Sequence, residues 1–231
     1  MAEIIMLQNV RLSFPQLIEP RKVSTDPNAT PKFSADFIMA PNDPGFAAFW
    51  TEVNKIALEK WKEHTQAVMQ IIASDRKLRC YGQGSERIDS KTFKPYNGYD
   101  GMVYITASRP GDQPPQMIQA DGTPVDAGNT MAYQAMARKL YGGCYVNAAV
   151  RPWAQENKHG RGIRCDLIAV QFAREGEAFG EGVADASGLF GAVAGAAPAA
   201  PVPQFAPPAF GAAPAAQPQF GAPAVPSFLG G

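Results

Sequence analysis

Two stretches of the sequence mix positively charged side chains with aromatic rings. The first runs from Arg76 to Tyr104, where Glu86, Asp89 and Asp100 are the only opposing acids. Its candidate binding residues are Lys77, Arg79, Tyr81, Arg87, Lys91, Phe93, Lys94, Tyr96, Tyr99 and Tyr104. Because rings stack on the faces of unpaired bases and cations neutralise phosphates, this mixture predicts a groove that binds single-stranded nucleic acid.

The second stretch combines a strand pattern with a basic segment. Alternation between Tyr145 and Trp153 places Val146, Ala148 and Val150 on one face, which we expect to point inward. The outward positions and the glycine-containing loop predicted at 156–164 add Tyr145, Arg151, Trp153, Lys158, Arg161 and Arg164 as candidates. Spacing alone leaves an alternative open, in which the tyrosines fill the core and the cations form an ordinary solvated surface.

Apolar residues that recur with a period of two predict a mainly β domain. The predicted strands are Ile4–Phe14, Lys32–Met39, Leu78–Tyr81, Met102–Ser108, Gln116–Gln119, Cys144–Trp153 and Ile163–Arg174. The third of these would place Lys77, Arg79 and Tyr81 on the same side. Between Gly82 and Gly98 the composition predicts a long, flexible flap, and a Pro-rich loop is expected around Glu19 to Pro31.

A helical pattern interrupts the strands. Asn42 or Asp43 can cap a helix with Pro44 in its first turn. The apolar stripe that follows consists of Phe46, Phe49, Trp50, Val53, Ile56, Ala57, Trp61, Val68 and Ile72. This pattern predicts one long amphipathic helix packed on the strands, with Trp50 and Trp61 in the core. A shorter helix is expected at 130–140, so the elements predict an α+β fold built around a small barrel.

Charge and composition divide the chain into two parts. The sequence has 21 basic and 21 acidic residues, but Glu175, Glu177, Glu181 and Asp185 follow the last basic residue, Arg174, so the preceding part has 17 acids and a net charge of +4. Residues 181–231 are rich in Ala, Pro, Gly and Phe, which predicts a disordered tail after a folded domain at 1–180. Phenylalanines in this tail are candidate contacts for replication proteins or for other copies.

Other chemistry has little support in the sequence. The two histidines, His64 and His159, have no partner at metal-ligand spacing, and the sequence contains no phosphate-binding glycine motif. We therefore expect a non-enzymatic protein without a metal or cofactor. Three cysteines without a paired spacing, and no N-terminal signal pattern, predict a reduced cytoplasmic protein that does not enter a membrane.

Three segments resemble a known family. They are VRLSFP at 10–15, KFSADFIM at 32–39 and the run from YGGCYV at 141–146 onward to residue 180. Together they are similar to single-stranded-DNA-binding proteins of tailed bacteriophages, a family with an OB fold. The resemblance covers residues 1–180. It implies a five-stranded OB-like barrel that coats unpaired phage DNA cooperatively, without sequence preference, in the host cytoplasm, and it transfers no catalytic residue.

The residues and the resemblance together predict a protein that binds and protects single-stranded DNA during phage replication or recombination. Two alternatives remain at this stage. One is a strand-annealing or recombination-mediator protein, which needs similar contacts. The other is a phage assembly adaptor, in which the aromatic residues contact protein. The four acids that follow Arg174 are expected to lie beside the groove and screen it.

Overall fold

Strands dominate the part of the chain that the computed structural model describes, which is residues 2–22, 29–158 and 160–180. Its strands are β1 (Ile5–Arg21), β2 (Lys32–Met39), β3 (Tyr81–Gln83), β4 (Val103–Pro110), β5 (Gln116–Ile118), β6 (Tyr145–Asn157) and β7 (Gly160–Arg174). Its helices are α1 (Pro44–Trp61), α2 (Thr65–Ser74) and α3 (Thr130–Lys139). The predicted tail at 181–231 and part of the Pro-rich loop, residues 23–28, lie outside the described residues.

Five of the strands close into a ring. β4, β2, β1, β6 and β7 are neighbours in that order through antiparallel pairs, and β7 returns to β4 through the parallel partners Ser108 and Asp166. β3 extends the sheet beside β4, and β5 extends it beside β7. The predicted OB-like α+β fold is confirmed, and two three-residue strands lie outside the five-membered ring.

Alternation along the strands explains why the ring forms. On β2, Phe33, Ala35, Phe37 and Met39 point into the core or are buried beside it. Intervening positions on the same strand face the other side of the sheet, where Lys32 is exposed and Ser34 is partly buried, whereas Asp36 and Ile38 are covered. Because successive side chains of a strand point to opposite faces, each ring strand contributes one apolar row to a shared interior. The opposite row is the outer face of the barrel.

The predicted long helix packs on the barrel, but it is interrupted. The carboxylate of Asp43 accepts the Gly45 amide at 2.8 Å and Pro44 occupies the first turn, which confirms the predicted start. After Trp61 the chain turns at Lys62, whose φ is 49°, and α2 begins at Thr65. Prediction of a single continuous helix was therefore wrong, because the apolar spacing carries across a turn in which the backbone is not α-helical.

The structure also corrects three smaller predictions, two about local turns and one about burial. Residues 76–78 form a 3₁₀ turn, closed by the Asp75 carboxylate accepting the Lys77 amide at 2.8 Å, so no strand spans 78–81. The basic loop predicted at 156–164 is the end of the β6–β7 hairpin, which stays paired as far as Asn157 and Gly160. Trp61 is buried as predicted, whereas Trp50 is half-exposed. Within the described residues, no helix is both long and apolar enough to span a membrane.

Candidate nucleic-acid interface

A cleft of about 770 Å³ on the outer face of the barrel gathers positive charge. We call it the cationic cleft. Its walls are the end of the β1–β2 connection at Ala29 and Thr30, the outer positions of β2 and β4, and the β6–β7 hairpin at Gln155 and Asn157. Its cationic lining residues are Lys32, Arg76, Arg79, Arg87 and Arg164, and none of the described residues that line it is acidic.

The five cations differ in how far their charge is already neutralised. Arg79 pairs with Glu86 at 2.9 Å, and Arg87 pairs with Asp36. In contrast, the Arg76 guanidinium donates to the Glu86 backbone carbonyl at 2.7 Å. Arg164 bonds to the Gln155 side chain at 3.1 Å and to the Lys77 carbonyl at 2.8 Å. Arg76, Arg164 and Lys32 have no ion pair with any described residue, so within the described part of the chain these three charges in the cleft are not compensated.

One exposed ring stands next to this charge. Trp153 is the cross-strand partner of Arg164, and 39% of its surface is exposed. Its Nε1 donates to the Asp166 carboxylate at 2.9 Å, and Arg151 pairs with the other oxygen of that carboxylate at 3.1 Å. These contacts hold the indole in one orientation, and part of its surface stays exposed. The sequence pattern predicted that the side chains of Trp153 and Arg151 point outward from β6, and both do so.

The predicted flap is a short hairpin that lies over the outer face. We use flap for residues 87–96. Ile88 and Pro95 are bridge partners, and the Tyr96 amide donates to the Arg87 carbonyl at 2.9 Å. The tip carries Lys91, Phe93 and Lys94, all exposed. These three predicted residues lie at the flap tip, and none of them lines the cationic cleft.

The flap is fastened to the barrel by a buried carboxylate. Asp36, on the outer row of β2, is 3% exposed. It accepts hydrogen bonds from the Tyr99 hydroxyl at 2.7 Å, from the Thr106 hydroxyl at 2.6 Å and from the Arg87 guanidinium. Because an unpaired buried carboxylate is strongly destabilising, these donors hold the flap and the residues that follow it against β2 and β4.

Three of the predicted stacking tyrosines are buried, which corrects the sequence interpretation. Tyr81 belongs to the main core because β3 begins at this residue and points its side chain inward. Its ring packs against that of Trp50, with centroids 5.1 Å apart. Tyr99 and Tyr104 pack together beneath the flap. Burial raises the pKa of Tyr81 to about 12 and raises the pKa of Tyr104. Burial and the neighbouring Asp36 charge raise the pKa of Tyr99.

Two further predictions fail because of distance. Tyr145 is the first residue of β6 and lies eight strand residues, about 26 Å, before Trp153, and its ring contacts the Arg174 guanidinium at 3.4 Å instead. Glu175 follows β7 at that same end and accepts the Tyr141 hydroxyl at 2.6 Å. The acidic patch therefore does not lie beside the cationic cleft; its members Glu181 and Asp185 lie outside the described residues.

Other predicted residues occupy the rim. Lys77 presents its carbonyl to Arg164, and Lys158 and Arg161 lie on the β6–β7 hairpin, where Arg161 pairs with Glu156 at 2.8 Å. Sequence reasoning missed Lys32, which belongs to the outer row of β2; the alternation that identified the inner row also implied it. Among the described residues, no group of three or more His, Cys, Asp or Glu side chains could hold a metal ion.

Comparison with known proteins decides the family. The model of the family described as Enterobacter phage Enc34, ssDNA-binding protein, matches residues 3–197. This chain belongs to the Enc34 ssDNA-binding family. A relative, the putative protein p50 of Acyrthosiphon pisum secondary endosymbiont phage 1, is 32% identical over 183 residues, covering 78% of this chain and 89% of that protein.

Solved structures of the family share the fold. The single-stranded DNA-binding protein from bacteriophage Enc34 in complex with ssDNA has a TM-score of 0.59 and 23% identity, covering 77% of this chain and 89% of that one. Another structure of the Enc34 protein has a TM-score of 0.57 and 25% identity, covering 80% and 88%. These matches confirm the resemblance to phage single-stranded-DNA-binding proteins.

The buried tyrosines predict an alkaline limit to stability. The pKa of Tyr81 and that of Tyr133 rise from 10.0 to about 12 through burial. Their contribution to the free energy of unfolding should be complete below pH 10. It should be lost as the pH rises from 10 to 12, because the tyrosines of the unfolded chain release their protons at lower pH than those of the folded protein. Urea unfolding at increasing pH measures this loss, and Tyr81→Phe should make it smaller. Tyrosines that all ionise near pH 10 in the folded protein would contradict their burial.

The Asp36 cluster predicts a large effect for a small change. Asp36→Asn keeps the shape but leaves the Arg87 guanidinium without its counter-charge, so the free energy of unfolding should fall by about 3 kcal/mol. Trypsin should also cleave faster after Lys91, because the flap is fastened less firmly. Asp100→Asn is the matched control, since Asp100 is exposed and the change should stay within about 0.5 kcal/mol. Equal behaviour of the two variants would show that Asp36 does not anchor the flap.

Proposed function

We propose that this protein binds single-stranded DNA without sequence preference and protects it during phage DNA replication or recombination. The observation that carries this proposal is the position of the cationic cleft. OB folds bind oligonucleotides on the face of their second and third strands, between the loops that join strands one to two and four to five. In the five-stranded ring these are β2 and β4, the β1–β2 connection and the β6–β7 hairpin, which together line the cleft.

Chemistry within the cleft fits a strand whose bases are unpaired. Arg76, Arg164 and Lys32 supply charge for phosphates. Lys77, whose carbonyl accepts from Arg164, and Lys158, which follows β6, add positive charge beside the cleft. Trp153 supplies a flat ring on which a base of any identity can stack. Arg79 and Arg87 are already paired, so we assign them to shaping the floor. Neither the charge nor the ring selects a particular base, which accounts for binding without sequence preference.

Family membership supports the same function. The solved relative from bacteriophage Enc34 is described as a complex with ssDNA, and the family carries an ssDNA-binding description. We therefore propose a non-enzymatic role, carried out in the cytoplasm of the host cell by a domain at 1–180. Residues 181–231, with their repeated phenylalanines, are proposed to contact replication proteins or neighbouring copies.

Titration with a fluorescent oligothymidylate at several salt concentrations tests the proposal directly. Affinity should fall steeply as salt rises, since phosphate binding releases counterions. The assembly-adaptor alternative predicts no affinity at any salt concentration. A strand-annealing assay then separates protection from annealing, because annealing requires the protein to accelerate pairing of complementary strands.

Loss of one unpaired cation should change the salt dependence. Arg164→Ala removes a guanidinium that has no ion pair among the described residues, so affinity at low salt should fall about tenfold. The slope of log affinity against log salt should become shallower by about 0.7, the value for one phosphate of a single strand. Arg138→Ala, at an exposed position on α3, is the matched control. An unchanged slope for Arg164→Ala would remove that residue from the interface.

Loss of the exposed indole should have the opposite signature. Trp153→Leu keeps an apolar side chain but removes the stacking surface, so binding should weaken by about 1 to 3 kcal/mol while the salt slope stays the same. Fluorescence of Trp153 should also be quenched when DNA binds the wild-type protein. Trp50→Leu is the control, because Trp50 is equally exposed but lies on α1. Equal losses for the two variants would mean that Trp153 is not a stacking residue.

A further inference from the structure

A second cleft, of about 700 Å³, lies along the flap and is distinct from the cationic cleft. We call it the flap cleft. Phe14 and Pro15 of β1 form one wall, Lys91 and Tyr96 of the flap form the other, and Phe179 lies at one end. None of these residues lines the cationic cleft. Sequence reasoning placed Lys91 and Tyr96 in the site but did not single out Phe14.

Phe14 is held out of the core by an unusual backbone. Its φ is 45°, a left-handed conformation that is costly for a bulky side chain. Pairing of β1 with β2 shifts register between Ser13 and Gln16, so the strand is irregular at this point. Phe14 remains 46% exposed and packs its ring edge-on against Tyr96, with centroids 5.0 Å apart. Strained backbone conformations of this kind are concentrated at functional sites.

A layer of rings connects the two clefts beneath the flap. Tyr104 lines the cationic cleft, and its centroid is 6.0 Å from that of Tyr99. Tyr99 in turn lies 6.2 Å from Phe14 and 6.3 Å from Tyr96, which line the flap cleft. On the flap itself, Arg87 lines one cleft and Asp89, two residues later, lines the other. Two fully extended residues span at most about 7 Å, so the clefts are close enough for one DNA strand to reach both.

Charge in the flap cleft also suits a nucleic-acid strand. Asp89 is the one acidic residue among the described residues that line it, and its carboxylate is occupied in the turn, where it accepts from the Lys91 amide at 2.9 Å and the Thr92 hydroxyl at 3.2 Å. The ammonium groups of Lys91 and of the nearby Lys94 form no ion pair with a described residue. Rings at the wall and lysines at the rim reproduce the composition of a stacking site for unpaired bases.

We propose that the flap cleft is a second base-binding subsite, in which a base of the bound strand stacks on Phe14 beside Tyr96 after the strand leaves the cationic cleft. This inference rests on the proposed function. It assigns the flap to guiding one strand through two adjacent subsites, and it makes the affinity depend on the length of the oligonucleotide.

The test measures the affinity of Phe14→Leu for two oligothymidylates. One of about four nucleotides fills the cationic cleft alone, and one of about sixteen nucleotides reaches both clefts. Phe14→Leu should lower affinity for the long strand at least about five-fold and leave the short strand unaffected. Phe14→Tyr, which keeps the ring, should bind both strands like the wild type. Ile18→Ala changes an equally exposed apolar residue of β1 outside the cleft and is the matched control.

Arg164→Ala separates failure of this inference from failure of the proposed function. If Arg164→Ala weakens both strands and Phe14→Leu weakens neither, the flap cleft is not a subsite although the cationic cleft stands. An equal loss on both strands for Phe14→Leu would also overturn the inference, since the ring would then act on the cationic cleft or on folding. If Arg164→Ala changes neither affinity, the proposed interface itself is wrong. Thermal unfolding of Phe14→Leu and Phe14→Tyr checks that both variants fold.

Discussion

Satisfying the buried carboxylate of Asp36 organises the outer face of this barrel. A charge removed from water must be surrounded by donors, and here they come from three places: Thr106 on the adjacent strand, Arg87 in the flap and Tyr99 after it. Those bonds draw a distant segment onto a sheet face that would otherwise be open. The flap cleft exists because the flap is held there, and the cationic cleft receives Arg87 from the flap. The shape of the outer face therefore depends on supplying hydrogen-bond donors to the buried Asp36 carboxylate.

Alternation in the sequence predicted the barrel well, because a ring strand needs one apolar row and the pattern shows it directly. β2 was predicted with its observed bounds from Phe33, Phe37 and their neighbours. The role of Asp36 could not be predicted in the same way. Its position in the outer row indicates exposure, and it is buried only because residues about fifty positions later in the sequence cover it. Alternation along a strand shows on which face of the sheet a side chain lies, but not which other segment of the chain packs on that face.

The same limit explains why some candidate rings lie at the interface and others do not. Trp153 lies in the middle of a long strand, where parity is reliable, and it points outward as predicted. Tyr81 begins a three-residue strand after a turn. The alternation assumed from Lys77 to Tyr81 does not continue through that turn, so the prediction placed Tyr81 on the wrong face. Tyr104 points outward but is covered by the flap. Phe14 escaped prediction because its exposure follows from a left-handed backbone, which residue type alone does not indicate.

Closure of the β-barrel between β4 and β7 also affects how densely copies of the protein can pack along one DNA strand. An open sheet presents a row of unpaired amides and carbonyls to which a neighbouring molecule can add its own strand, and crowding favours such fusion. Here the two strands that would form those borders are joined through Ser108 and Asp166. The added strands β3 and β5 are three residues each, too short to template an extended partner. Dense packing of this chain is thus compatible with each molecule remaining separable from the next.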